Sequence, residues 1–461
     1  MTRNKQDYMN TKIQNIDLTQ GVIWKQLLFF FLPILVGSLF QQLYITIDAI
    51  IVGQCAGKAA LAAIDSVYSL LKLPVNFLVG LSTGATIIIS QMFGAKKNRE
   101  LSNATHTAIA FSFVGGAFFS ILGIIAAPFL LRWMQVPENI FSMTLSYVRI
   151  YYGGFIFSML YNMGAGILRA VGDSQTPLRI LIISSTSNLL FDLLFVGLLR
   201  WSVSGAALAT VISQMLSAFL TIRSLTKSSG ACQVFLSKIR LNFSDLQTMI
   251  RLGLPVGLQS SLYPIANMMI QASINSTGTD YIAAWALCGK LDFLIWLAAD
   301  SLASAISTFV AQNSGAQQYT RVKNGVRTGL WMTLCTVGLI SVTLFFWCEP
   351  LGKLFINAED YDVIPLMGEL MRFLSPLYFI YVFGEVLSGA IRGAGETFIP
   401  MVLTLIGTCA LRVLWILFIV PQNHTIEMII GSYPASWALT SCFFIIYYQI
   451  FKSKHLISAE L

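Results

Sequence analysis

Asp48, Asn188, Asp192 and Thr210 supply two carboxylates, an amide and a hydroxyl, and all four lie inside long apolar stretches. Asn188 and Asp192 are four residues apart, so a helix puts them on one face. An all-oxygen donor set suits a hard cation such as Na⁺. It equally suits a proton, because two carboxylates brought together in low dielectric can share one near neutral pH. The second half of the chain carries a different set: Lys290, Asp292, Glu385 and Arg412, with both signs of charge. Lys290 and Asp292 are two apart and point to different sides of a helix, so they do not simply neutralise each other. Arg412 is expected to pair with Glu385 or Asp292. These four, with Gln41 and Gln42 near Asp48, form either an ion-pair scaffold or a substrate-facing set.

The elements that must carry these residues are membrane helices. The chain is 56% hydrophobic and only 11% charged, about half the charged share of soluble domains. Apolar segments long enough to cross ~30 Å of hydrocarbon recur along its whole length. The pattern predicts an all-α integral membrane protein with twelve spans, near 22–53, 59–92, 101–131, 139–170, 176–200, 203–227, 246–275, 280–312, 321–348, 361–392, 397–420 and 426–451. The first span is too long for a signal-peptide core and no small-residue cleavage site follows, so it is expected to be retained. Lys and Arg concentrate in alternate loops, including Lys96, Lys97, Arg99, Lys238, Arg240, Arg321, Lys323 and Arg327. The opposite loops hold few: Lys58, Arg132, Arg200 and Lys353. That asymmetry puts both termini in the cytoplasm. The net charge of +8 therefore reports topology rather than a nucleic-acid partner.

A central Asp or Lys costs roughly 3 kcal/mol on insertion scales, so it normally faces a cavity or a partner. At 1.5 Å per residue, Asp48 lies ~8 Å, Thr210 ~9 Å and Asp192 ~12 Å from the outer ends of their spans. Asn188 sits one turn deeper. Matching depth favours convergence on one ion over a purely structural network. Of the bulky side chains, Tyr44, Met163, Met268, Met269, Trp285 and Trp296 suit apolar organic cations, although packing or lipid contact is the expectation for most.

The two halves repeat one another. SQMFGAKKNREL at 90–101 matches AQNSGAQQYTRV at 311–322, and GILRAVGDSQTP at 166–177 matches GAIRGAGETFIP at 389–400. Shorter pairs, FLP with GLP and LAA with IAA, keep the same order and nearly the same spacing. The chain is expected to be two pseudo-symmetric six-helix bundles in parallel orientation, a plan seen in secondary transporters. The boundaries are a first lobe at 1–227, a polar cytoplasmic linker at 228–245 and a second lobe at 246–461. In the repeated loops, glycine ends one helix and Asp or Ser caps the next, which predicts tight turns rather than chemistry. Asn188 and Asp192 align with Leu411 and Trp415, so the oxygen cluster is not duplicated.

No phosphate-binding GxxxxGK[ST] loop is present, and no nucleophile–base or metal set, so neither an ATP-driven pump nor an enzyme is expected. Seven cysteines are scattered without a CxxC pair, and the histidines are far apart.

The repeat, the LPILVGSLFQQLY…D start and the paired QMFGAKK and RAVGDSQTP loops resemble the multidrug and toxic compound extrusion family over nearly the whole chain. The resemblance is greatest to its DNA-damage-inducible and archaeal branch. It implies that Asp48, Asn188, Asp192 and Thr210 match that branch's amino-lobe cation site. It further implies an antiporter of the plasma membrane, a monomer that exports organic cations against H⁺ or Na⁺ by alternating access, with no other cofactor. The runner-up is a flippase of lipid-linked oligosaccharides from the same superfamily, which would want a cationic cavity; Lys290, Arg372 and Arg412 leave that open.

Overall fold

The computed structural model describes residues 17–228, 230–356 and 361–457, and among them every regular element is helical. The cytoplasmic placement of the two termini concerns residues outside that set. Among the described residues twelve long helical segments match the expected spans: α1 Ile23–Cys55, α2 Lys58–Gly94 and α3 Asn98–Trp133; α4, built from Glu138–Gly153 and Phe155–Ala170; α5 Gln175–Leu198 and α6 Ser202–Lys227. Then come α7 Phe243–Asn275, α8 Thr279–Gly315, α9 Tyr319–Gly352, α10 Val363–Gly393, α11 Phe398–Gln422 and α12 Ile426–Lys454. Ten of these are continuous and apolar enough to cross a bilayer by length and composition alone. The other two, α4 and α7, depart for local reasons. In α4 the helix breaks at Gly154, where a Cβ would sit 2.5 Å from Val211 of α6; glycine is what lets the two helices touch. α7 is unbroken but holds Pro255, Pro264, Gln259, Asn267 and Gln271.

Hydropathy does not foresee the π-helical stretches. One, Leu193–Leu198, begins directly after Asp192 in α5. Two more, Leu405–Ala410 and Trp415–Ile419, bracket Arg412 in α11. The repeat lays the first close to the last, since Asp192 corresponds to Trp415. Such widened turns loosen the backbone ladder and recur at functional sites.

The chain forms two compact units. One runs from Leu28 to Arg251, the other from Leu252 onward together with Val22–Leu27. Inside the first, α2, α3, α4 and α6 enclose a core that includes Val52, Ala63, Val67, Leu131, Tyr147, Phe155 and Met159. Inside the second, α8 is flanked by α9 and by both halves of α10, with α12 against the second half of α10.

Both repeated loops are tight turns. Gly172 has φ 88° and Gly395 φ 100°, the left-handed region that suits glycine. In the first turn the Asp173 carboxylate accepts the backbone N–H groups of Gln175 (3.1 Å) and Thr176 (2.9 Å), capping α5. Replacing Asp173 by Ala is expected to lower stability by about 1 kcal/mol, read as a fall in the unfolding midpoint in detergent.

The linker is docked, not loose. His106, near the start of α3, places Nδ1 2.7 Å from the Ser102 carbonyl, while its Nε2 accepts the Phe235 N–H at 3.0 Å. One neutral tautomer, protonated on Nδ1, satisfies both contacts. Phe235 stacks on the imidazole at 6.4 Å, and the Thr107 hydroxyl accepts the Asn242 N–H at 3.2 Å. His106→Phe keeps the stacking but removes the acceptor, leaving an N–H whose desolvation costs ~1–3 kcal/mol. Faster proteolysis between 228 and 245, with unchanged helix content, is the expected result.

Candidate functional site

Asp192 ends the regular part of α5 and is fully buried. Asp48 lies in α1, where its Oδ1 is also sequestered. The two carboxyl groups are within hydrogen-bonding reach of each other once one of them carries a proton. Neither Asp192 oxygen, nor Asp48 Oδ1, has any hydrogen-bond partner among the described residues. Among the described residues, no Lys or Arg forms an ion pair with either. Asn188, one turn before Asp192 on the same face, is 2% exposed, and its Nδ2 is likewise unpartnered.

Thr210 of α6 is buried, and its hydroxyl donates to the Ala206 carbonyl of its own helix at 3.0 Å. The oxygen's lone pairs remain available, so the hydroxyl can still act as an acceptor or ligand. Tyr44 and Tyr147 lie within electrostatic range of both carboxyls, and Tyr147 stacks on Tyr151 with centroids 6.3 Å apart. Composition alone did not single out Tyr147, which reaches the pair from α4, or Tyr151, one turn further along the same helix. Gln41 and Gln42 are exposed. Met163, a candidate for substrate contact, is 1% exposed and packs in the core.

Two anions facing each other without a basic neighbour are unstable in low dielectric. A proton or a small cation between them removes the conflict. The orphaned oxygens are therefore a fitting donor set for either.

The second unit corrects the expectation for Arg412. It pairs with neither Glu385 nor Asp292. Its Nε donates to the Ser436 hydroxyl (3.0 Å) and Nη1 to Asn267 Oδ1 (2.7 Å) and the Tyr263 hydroxyl (3.4 Å). The guanidinium lies 4.3 Å from the Tyr433 ring centroid. Glu385 instead meets Arg392 at 3.4 Å and accepts the Tyr381 hydroxyl at 3.0 Å. Residues seven apart on one helix share a face, so Arg392 reaches Glu385 from its own helix, whereas Arg412 on α11 faces α7 and α12.

Asp292 is buried and accepts the Tyr378 hydroxyl at 2.8 Å. Lys290 is exposed, 5.6 Å from the Phe355 ring centroid, so the two do point to different sides. Arg372 is exposed and paired with Glu349 at 2.6 Å, which removes it from any cationic cavity. Trp285 and Trp296 belong to a cluster with Tyr378, Tyr381, Tyr433 and Trp437, with centroid separations from 4.7 to 6.1 Å.

Twelve helices in two repeated halves, with broken or π-widened helices carrying uncompensated polar groups at depth, define a transporter rather than a membrane scaffold. The chain belongs to the MatE family of transporters: the family profile matches residues 33–194 and again 255–417. The two matches start 222 residues apart, which is the internal repeat.

The chain is 26% identical over 445 residues, 94% of its length and 95% of the relative's, to the "Probable multidrug resistance protein YoeA" of Bacillus subtilis. It is also 26% identical to the "FAD transporter" of Shewanella oneidensis, over 86% of this chain and 87% of that one. Among solved structures, a MATE protein in the bent conformation superposes with a TM-score of 0.89 at 19% identity, covering 98% of this chain and 100% of that one. A transporter of the MOP superfamily from Pyrococcus furiosus, described as having a binding pocket of reverse polarity, gives 0.87 at 19% identity over 95% and 98%. At that identity the structural matches establish the fold.

Proposed function

We propose that this protein is a secondary active antiporter of the plasma membrane. It exports amphipathic organic compounds, among them cations, and H⁺ or Na⁺ returns through the Asp48–Asp192 pair by alternating access. The observation that carries this reading is the pair itself: the buried Asp192 carboxyl faces Asp48, whose Oδ1 is sequestered too, with no Lys or Arg paired to either among the described residues. Such a pair cannot keep two negative charges in low dielectric, so its charge state depends on a bound cation. Asn188 and Thr210 supply further oxygens to that cation. The multidrug resistance protein it resembles over almost its whole length supports a broad organic substrate range.

Uptake of a fluorescent organic cation into inside-out proteoliposomes tests the reading. A pH gradient and a Na⁺ gradient are imposed separately, without ATP. At least one of them must drive accumulation; equal uptake with and without both gradients would refute antiport.

A second reading has one observation in its favour. The uncompensated Arg412 suits the pyrophosphate of a lipid-linked oligosaccharide. The acidic pair in the first unit weighs against it. Resistance to toxic organic compounds, conferred on an efflux-deficient host, is expected for the antiporter and not for the flippase.

A further inference from the structure

Arg412 is 0% exposed, and a guanidinium keeps its charge in proteins. Burying that charge without a counter-charge is costly, yet among the described residues its hydrogen-bond and ring partners are neutral: Ser436, Asn267, Tyr263 and the Tyr433 ring. Its Nη2 has no hydrogen-bond partner among the described residues. A second buried donor is also left over. Trp437 Nε1 is unpartnered among the described residues, and the indole packs 6.0 Å from the same Tyr433 ring. Two orphaned N–H donors, one of them cationic, flank one tyrosine; what they lack is an acceptor.

The repeat shows where this cluster stands. Aligning Gly205 with Gly431 sets Thr210 against Ser436. The FLP–GLP match sets Gln41 against Tyr263 and Ile45 against Asn267. Arg412 follows the residue equivalent to Asn188. The same three helices of the six-helix plan that carry the carboxylate pair in the first unit thus carry Arg412 and its partners in the second. The helical spacing agrees: Tyr263 and Asn267 are four apart on α7, and Tyr433, Ser436 and Trp437 share one face of α12. The π-helical stretches on either side of Arg412 provide the loosened backbone that admission of a ligand requires.

We propose that Arg412, with Trp437 Nε1 beside it, receives an oxyanion group of the transported solute, a carboxylate or a phosphate, at the second unit's counterpart of the acidic pair. Tyr433 supplies a flat face for the attached aromatic body. Asp292, within electrostatic range of Tyr433, adds an acceptor for a positive group on the same solute, so zwitterions fit best. The inference rests on the transport reading for the kind of solute, but not on ion coupling.

Equilibrium binding to purified protein in detergent, with no gradient, tests it. The probes are a rhodamine with a free ortho-carboxylate and its methyl ester, which differ only in the anionic group. Wild type is expected to bind the acid roughly tenfold or more tightly than the ester, as charge-assisted hydrogen bonds allow. Arg412→Gln erases that difference and leaves ester binding in place; Arg412→Lys keeps part of it. Competition by benzoate and by phenyl phosphate separates a carboxylate from a phosphate preference.

Equal binding of acid and ester by wild type, or an acid preference that survives Arg412→Gln, overturns the proposal. If Arg412→Gln does not elute as a folded species, the wild-type acid–ester ratio decides. If neither dye binds, thermal shift with benzoate and phenyl phosphate decides, and no shift from either overturns it. Failure of gradient-driven transport with the acid preference intact would instead count against antiport alone.

Discussion

Asp192→Asn is expected to reduce gradient-driven accumulation of solute in proteoliposomes to the level reached without a gradient. The substitution keeps shape and hydrogen-bonding capacity while removing a titratable oxygen of the proposed cation site. Asp192 is fully buried and both of its carboxylate oxygens lack partners, so little structural support is lost. The loss falls on coupling. In a one-for-one exchange of cations no net charge crosses, so the ion's concentration gradient drives transport: a tenfold gradient is worth ~1.4 kcal/mol and supports ~tenfold accumulation. That ratio is what the mutant is expected to forfeit. Solute exchange across the membrane at equal ion concentrations should persist, because it needs the conformational change but no driving ion.

Asp48→Asn should behave alike, and the double mutant should be no worse than either single mutant, since the two groups act as one unit. An additive double mutant would indicate two separate ion sites. Transport measured by counterflow and by gradient-driven uptake in the same vesicles distinguishes lost coupling from lost binding.

The second large effect concerns packing. Gly389 and Gly393 of α10 form a G-x-x-x-G stripe laid on α8. A Cβ at Gly393 would sit 2.2 Å from the Ser307 carbonyl oxygen, and one at Gly389 2.7 Å from that of Ala303. Both obstacles are backbone, so no side chain can rotate away; the helices must separate. Small residues at i and i+4 are what permit such close approach in membranes, where packing rather than water drives helix association. Gly393→Ala and Gly389→Ala are each expected to destabilise by about 1–3 kcal/mol, the usual range for overpacking, with leucine at either site worse. Gly338→Ala is the control. Nothing lies within 4 Å of its added Cβ, and replacing a helix-interior glycine there should stabilise by roughly 0.5–1 kcal/mol. Midpoints of thermal unfolding in one detergent compare all three.

The span boundaries were legible because hydrocarbon imposes a strong, regular constraint: from 22–53 against Ile23–Cys55 to 397–420 against Phe398–Gln422, the differences are a few residues. The repeat was legible because paired turns need glycine and a capping side chain at fixed offsets. Depth along the spans was legible because rise per residue is fixed, which is why Asp48 and Asp192 could be compared at all. What failed was azimuth. Whether Arg412 meets Glu385 depends on which way α11 is turned, and the π-helical stretches on both sides of it shift that rotation without any mark in composition. His106 looked like an isolated histidine because its partner is a backbone N–H of Phe235, which carries no side-chain signal. The need for glycine at 154 was hidden for a similar reason: it comes from Val211 on another helix.

The central claim is that the Asp48–Asp192 pair links cation binding to solute binding. Its most direct test is calorimetric titration of purified protein with a fluorescent organic cation. The titration is repeated across buffers of different ionisation enthalpy and with or without Na⁺. Wild type is expected to release at least one H⁺, or to lose affinity as Na⁺ is added, when the solute binds; Asp48→Asn and Asp192→Asn should bind solute with neither dependence. Proton release or Na⁺ competition that persists in both variants would contradict the assignment.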